Sequence, residues 1–315
     1  MKKLYGICGP TASGKTALAV RLCERLKGEI ISADSMQVYT GFDILSAQPT
    51  PEEMQRAPHH LVSFVPPDEK YNASKYRSDA LYAISEVEWR GKLPVLCGGS
   101  GLYIDALTKG IRMSVAADEE IRLRLKETAA KDGGQAELYA ELKRVDPASA
   151  RKYAPEDTRR IIRSLEIYYA TGKTRSEQER IDAQQADTFK AVLFALRWDK
   201  KKLYERCDRR VDEMIKRGLI TEVEGLLKSP VAVQETAAQA IGYKEIARAL
   251  KGEISIEAAV EEVKLHTRHL AKRQETWFRR DTRVSFFDVD EDSFDCVTDK
   301  IYNIIKEDIL NDRCR

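Results

Sequence analysis

The stretch Gly9-Pro10-Thr11-Ala12-Ser13-Gly14-Lys15-Thr16 fits G-x-x-x-x-G-K-[ST], a spacing built to hold a di- or triphosphate. Its glycines let the backbone wrap an anion, and the N–H groups of the loop and the following helix point at it. Lys15 neutralises the charge, and the Thr16 hydroxyl is placed to ligate Mg²⁺. The pattern leaves open whether the phosphate is transferred, hydrolysed or expelled as a leaving group. Asp34, in Asp34-Ser35-Met36-Gln37, follows the apolar run Glu29 to Ala33. A strand end beside such a loop faces the ligand crevice, so Asp34 can act as a proton acceptor or, in Walker-B fashion, hold Mg²⁺ for ATP. Gly98-Gly99-Ser100-Gly101 follows another apolar run. Its glycines allow close approach of a phosphate or polar substrate, or form a packing turn.

Positioning these groups requires strands that alternate with helices. Apolar runs at Leu4 to Cys8, Glu29 to Ala33, Leu61 to Val65, Pro94 to Cys97, Ala191 to Leu196 and Val284 to Val289 predict a mostly parallel sheet flanked by helices, a P-loop NTPase-like α/β fold. Thr50-Pro51-Glu52-Glu53 predicts a capped helix start, and Gly91, Gly110 and Gly172 predict helix ends. Between Arg112 and Ala186 only helical periodicity remains. This predicts an all-helical domain at 112–186, inserted between a first core part at 1–111 and a second at 187–315. In the second part, Lys200 to Arg217 and Ser255 to Arg280 read as long helices.

The 315 residues carry Lys+Arg 53 against Asp+Glu 51, a net charge of +2, so any basic face must come from local clustering. Lys264, His266, Arg268, His269, Lys272, Arg273, Arg279 and Arg280, with Trp277 and Phe278, form such a cluster. It reads either as a phosphate-tracking face with aromatic platforms or as a solvated helix with core aromatics. His266 and His269 share a helical face but lack further ligands for a metal site. His59 and His60 adjoin, and as strand neighbours would point to opposite faces, which favours a structural or supporting role. The six cysteines show no C-x-x-C pair, so no zinc ribbon or redox centre is expected. The apolar run after Met1 is too short for a signal-peptide core, and no stretch has the ~18 apolar residues of a membrane span. A cytoplasmic protein without a membrane partner is expected.

Taken together, G-P-T-A-S-G-K-T, A-D-S-M-Q-V-Y, P-H-H-L at Pro58 to Leu61, G-G-S-G-L-Y, R-R-I-I-R-S-L-E-I-Y at Arg159 to Tyr168 and Q-A-I-G-Y-K-E at Gln239 to Glu245 closely resemble the tRNA dimethylallyltransferases. The resemblance runs from Leu4 to about Arg280 and implies transfer of a dimethylallyl group from dimethylallyl diphosphate, with Mg²⁺, to the exocyclic amine of the adenine just 3′ of the anticodon. It further implies that the loop Gly9 to Thr16 holds the prenyl diphosphate, with Ser100 beside it. Asp34 falls on the family's general base, and Arg206, or else Arg210, on its diphosphate-binding arginine. Asp34, Ser35, Met36, Gln37, Ser100, Arg122, Arg159, Arg160, Ile161, Ile162 and Arg163 fall on its tRNA-contacting positions. The R-Q-x-T-W-F-R run at Arg273 to Arg279 tips the C-terminal helix toward RNA. Some eukaryotic relatives continue into a zinc finger that is not seen here, so the bacterial type, acting as a monomer on the anticodon stem-loop, is implied.

The chemistry asks for the same parts independently. An aromatic amine is a poor nucleophile, so a carboxylate that accepts its proton lowers the barrier. Departing diphosphate builds charge that Lys15, an arginine, backbone N–H groups and Mg²⁺ stabilise. A stacked base must be turned out to reach a buried carboxylate. Three alternatives remain at this level: an ATP-dependent small-molecule or nucleotide kinase, a nucleic-acid-binding NTPase, and a prenyltransferase acting on free adenine nucleotides.

Overall fold

A computed structural model describes residues 2–109, 118–184 and 187–313. Six strands form its sheet: β1 Lys3–Cys8, β2 Gly28–Ser32, β3 His59–His60, β4 Leu93–Gly98, β5 Lys190–Arg197 and β6 Val284–Asp288. The order is β3-β2-β4-β1-β5-β6, and every pairing is parallel. Central β1 reads as an uninterrupted apolar run because helices cover both faces. Gly6 lies in β1 where a Cβ would come within 2.8 Å of Leu193. Tyr5, Ile7, Leu18, Leu22, Ile30, Val95, Phe194 and Ile301 belong to one buried cluster that locks the helix Lys15–Leu26 onto the sheet.

The expected strand Leu61 to Val65 is a correction. Leu61 and Ser63 both take left-handed backbone angles, with φ of 62° and 51°, which no strand accommodates. The edge strand is instead the pair His59–His60 against Ile30 and Ile31, and Val65 keeps a lone bridge to Tyr39. Thr50 makes the capping box with Glu53, and Gly172 ends its helix at φ 70°. Gly110 and Cys314 lie outside the described residues.

The chain divides into two compact units, one of residues 1–108 with 188–315 and one of residues 109–187. The second holds the helices Glu119–Ala129, Gly134–Val145, Pro147–Ala150, Thr158–Thr171 and Arg175–Ala183. Leu125, Leu138, Leu142, Ile161, Ile162 and Leu165 make its core. Asp146 caps Ser149 and also accepts from the Ser176 N–H, so one buried carboxylate joins two helix starts. The inserted-domain boundaries expected at 111/112 and at 186 fall on residues outside the described ones.

Candidate active site

The phosphate loop leaves β1 at Cys8 and enters the helix Lys15–Leu26 through Gly14 at φ 97°. Gly9 at φ 132° and Ala12 at φ 60° complete the curl. Three side chains from distant elements hold this loop from outside. Gln274, on the helix Ile256–Arg279, accepts from the Thr11 N–H at 2.8 Å and donates to the Gly99 carbonyl at 3.1 Å. Arg206 donates from Nε to the Ala12 carbonyl at 2.8 Å. Trp198 donates to the Ser13 carbonyl at 2.9 Å, and the Arg206 guanidinium lies 4.2 Å from the Trp198 ring centroid. Trp198 and Gln274 were not among the expected site residues. Trp198 carries no motif, and Gln274 stood inside a run read for its basic residues and its aromatics.

Inside the curl the Ser13 hydroxyl is buried without a hydrogen-bond partner, as suits a donor kept for an anion. Lys15 reaches back to the Pro10 carbonyl at 3.3 Å. Burial pushes its ammonium below the ordinary lysine range, the nearby Arg210 adds to that, and Asp34 opposes it. Arg210 is likewise lowered by burial and supported by the field of Asp34. Arg206 and Arg210 stand four apart on the helix Lys200–Lys216, beside its buried stripe of Leu203, Cys207, Val211 and Met214. Arg206 holds the loop at Ala12, and Arg210 lies within the field of Asp34 and lowers the pKa of Lys15.

Asp34 follows β2. Its Oδ1 accepts from the Met36 N–H at 3.0 Å, which sets the turn. The Ser100 hydroxyl accepts from the Ser35 N–H at 2.9 Å and donates to the Ser35 hydroxyl at 3.2 Å. Ser32 donates to Gln37 at 3.0 Å. A Cβ on Gly98 would meet the Ala33 carbonyl at 2.1 Å, on Gly99 the Gln274 amide at 2.3 Å, and on Gly101 the Trp277 ring nitrogen at 2.2 Å. These glycines admit the protein's own chain, so this turn is a packing device, and Ser100 props the Asp34 turn.

Lys15, Thr16, Asp34, Gln37, His59 and Cys97 line one cavity of about 10 Å³. Burial pushes the Cys97 thiol up to about 12, leaving it inert, and the Thr16 hydroxyl bonds to it. A divalent cation fits these surroundings in one manner. Among the described residues no cluster of three His, Cys, Asp or Glu side chains could hold a metal. Mg²⁺ does not require such a cage, since it keeps several waters and binds through few protein oxygens plus substrate phosphates. Thr16 could offer such an ion its hydroxyl, and Asp34 lines the same cavity.

Within the helical unit, Glu166 is fully buried and accepts from Arg122 at 3.0 Å, from Arg163 at 2.9 Å and from the Asp118 N–H at 2.9 Å. Arg159 and Arg160 are exposed, the latter 3.3 Å from Asp157. Ile161 and Ile162 are corrected as RNA contacts: they are 0% and 7% exposed and pack the unit's core, as the inward face of an amphipathic helix must. The C-terminal basic helix is partly paired and partly open. Lys264 pairs with Asp212, His266 with Glu245, Arg268 with Asp208 and Arg279 with Glu275, while Phe278 is buried and Trp277 is 43% exposed. His269, Lys272, Arg273 and Arg280 are exposed.

The comparisons with known proteins identify the family. The profile described as IPP transferase matches residues 37–281. The tRNA dimethylallyltransferase 2 of Geotalea uraniireducens is 47% identical over 92% of this chain and 93% of its own. The solved tRNA isopentenylpyrophosphate transferase of Bacillus halodurans is similar at 38% identity and a TM-score of 0.73, covering 99% of this chain and 98% of that one. A eukaryotic dimethylallyltransferase, solved acting on tRNA, is similar at 29% identity and a TM-score of 0.82, covering 99% of this chain and 80% of its own. A phosphate cradle facing a carboxylate turn, matched over nearly the whole length, places this chain in the IPP transferase family.

Proposed function

We propose that the protein is a tRNA dimethylallyltransferase that moves the dimethylallyl group of dimethylallyl diphosphate onto the exocyclic amine of the adenine just 3′ of the anticodon. The observation that carries this reading is the convergence of Lys15, Arg210 and Asp34. Two buried cations, each disfavoured by burial and Lys15 further by Arg210, call for an anion beside them, and a carboxylate whose field reaches both is placed to take a proton. The loop Gly9 to Thr16 binds the diphosphate, with the Ser13 hydroxyl and the loop N–H groups donating to it. Lys15 and Arg210 stabilise the charge that grows as the allylic C1–O bond breaks and diphosphate leaves with the bonding pair. The adenine nitrogen forms the new bond to C1, and its proton passes to Asp34. Magnesium, when bound, neutralises the diphosphate and eases its departure, and Thr16 would hold it. Arg122, Arg159, Arg160 and Arg163 track phosphates of the anticodon stem-loop from the helical unit.

Tritiated dimethylallyl diphosphate, incubated with purified tRNA and separately with adenosine phosphates, tests the reading. Label is expected in one tRNA nucleoside and not in free nucleotide. Label in AMP alone assigns the chain to free nucleotides, and phosphate transfer from ATP without prenylation assigns it to the kinases. Asp34→Asn is expected to lower kcat by roughly 10²-fold or more while tRNA affinity changes little. Recovery of that rate at raised Mg²⁺ would make Asp34 a metal support instead.

A further inference from the structure

His59 faces the small cavity beside Thr16 and Asp34 and takes no part in the reaction as written above. It pairs with Ile30 across the sheet edge, while its neighbour His60 turns to Glu29 at 2.6 Å. The His59 Nδ1 lies 2.8 Å from the Ala57 carbonyl, an atom that only accepts, so Nδ1 carries a proton and donates it. Burial lowers the imidazole's pKa and keeps it neutral, which leaves Nε2 as a bare lone pair. That Nε2 is buried and has no hydrogen-bond partner. A buried polar atom in this condition is uncommon in native proteins and points to a water or ligand that completes it.

The cavity, of about 10 Å³, is the size of roughly one water. His59 and Asp34 both line it, and each carries an acceptor, the unpartnered Nε2 of the one and the carboxylate of the other, whose Oδ1 already takes the Met36 N–H. A water between two acceptors gives one proton to each, and its oxygen then turns toward positive charge. Lys15 and the ion assigned to Thr16 supply that charge.

We propose that His59 is a positioning residue whose Nε2 lone pair, together with Asp34, holds a water with its oxygen toward the magnesium ion at Thr16. The inference rests on the magnesium reading given above. Because Mg²⁺ releases its waters reluctantly, side chains that accept from those waters decide where it sits. Outer contacts of this sort are worth on the order of 10- to 100-fold in metal affinity.

Manganese titration of the full-length protein with inorganic diphosphate, followed by electron paramagnetic resonance, tests this. His59→Phe is expected to weaken Mn²⁺ about tenfold or more, and His59→Gln, whose side-chain carbonyl accepts, to regain most of it. Metal-free diphosphate binding should match the unmodified protein in both variants, which also reports that they fold. In the unmodified protein, ¹⁵N resonances at neutral pH should show an unprotonated Nε2 that shifts when Mg²⁺ and diphosphate are added, a readout independent of any variant. Unchanged Mn²⁺ affinity in a folded His59→Phe protein, or a protonated or unresponsive Nε2, overturns the role of His59. If the unmodified protein with diphosphate binds no Mn²⁺, the magnesium reading itself fails and takes this inference with it.

Discussion

The phosphate loop and the arginine cluster of the helical unit both gather positive charge, but they hold it by different means. Around the loop, Gln274, Arg206 and Trp198 reach across 263, 194 and 185 residues to grip three consecutive residues. In the helical unit, Arg122 and Arg163 share one buried carboxylate, while exposed Arg160 pairs with Asp157 three residues away and lies 5.8 Å from the Tyr153 ring centroid. The contrast matches the sizes of the two ligands proposed above. A diphosphate is small and its donors must be fixed to a fraction of an ångström, whereas an RNA backbone is met by a field that tolerates side-chain motion.

The largest effect expected from breaking this contrast is at Lys15. Lys15→Ala removes the cation at the leaving group and should lower turnover by about 10³-fold, with weaker diphosphate binding by calorimetry and unchanged tRNA affinity. Loss of tRNA binding in that variant would mean that the two charged regions are not separable. A smaller effect is expected when Arg159, Arg160 and Arg163 are all replaced by Gln. The logarithmic salt slope of tRNA binding should fall by about two to three units, with Arg163 contributing least because Glu166 already holds it. Diphosphate affinity should stay as it was, and a salt slope equal to that of the unmodified protein would return these arginines to a solvated surface. The smallest effect sharpens the loop side. Gln274→Ala removes one acceptor and one donor and should weaken diphosphate binding about tenfold, while Gln274→Glu, which keeps the acceptor for Thr11, should fall between.

Legibility in the sequence follows the same division. The loop Gly9 to Thr16 and the strand before it are contiguous, so pattern alone located them, and the capping box at Thr50 was equally local. Asp34 was legible because it ends a strand beside that loop. Gln274 and Trp198 were not, since each acts through a contact between elements far apart in the chain. Ile161 and Ile162 show the opposite hazard. The motif that carries Arg159 to Arg163 also carries the residues that pack its helix, and periodicity, not motif membership, separates the two. Leu61 to Val65 was apolar enough for a strand, yet two positive φ angles are invisible in composition.

The grip of Gln274, Arg206 and Trp198 on the loop has an entropic consequence. Ordering one residue's backbone costs roughly 1–2 kcal/mol, and a floppy loop would charge that cost against each diphosphate it captured. Here the freedom is already lost on folding, so a diphosphate bound as proposed would give up only its own motion and associate without a slow rearrangement of the cradle. The same arrangement makes donor affinity hostage to a remote element. Fraying of the helix Ile256–Arg279 by heat or denaturant would release Gln274, return its disorder to the loop at Thr11 and loosen the diphosphate before the sheet itself begins to melt.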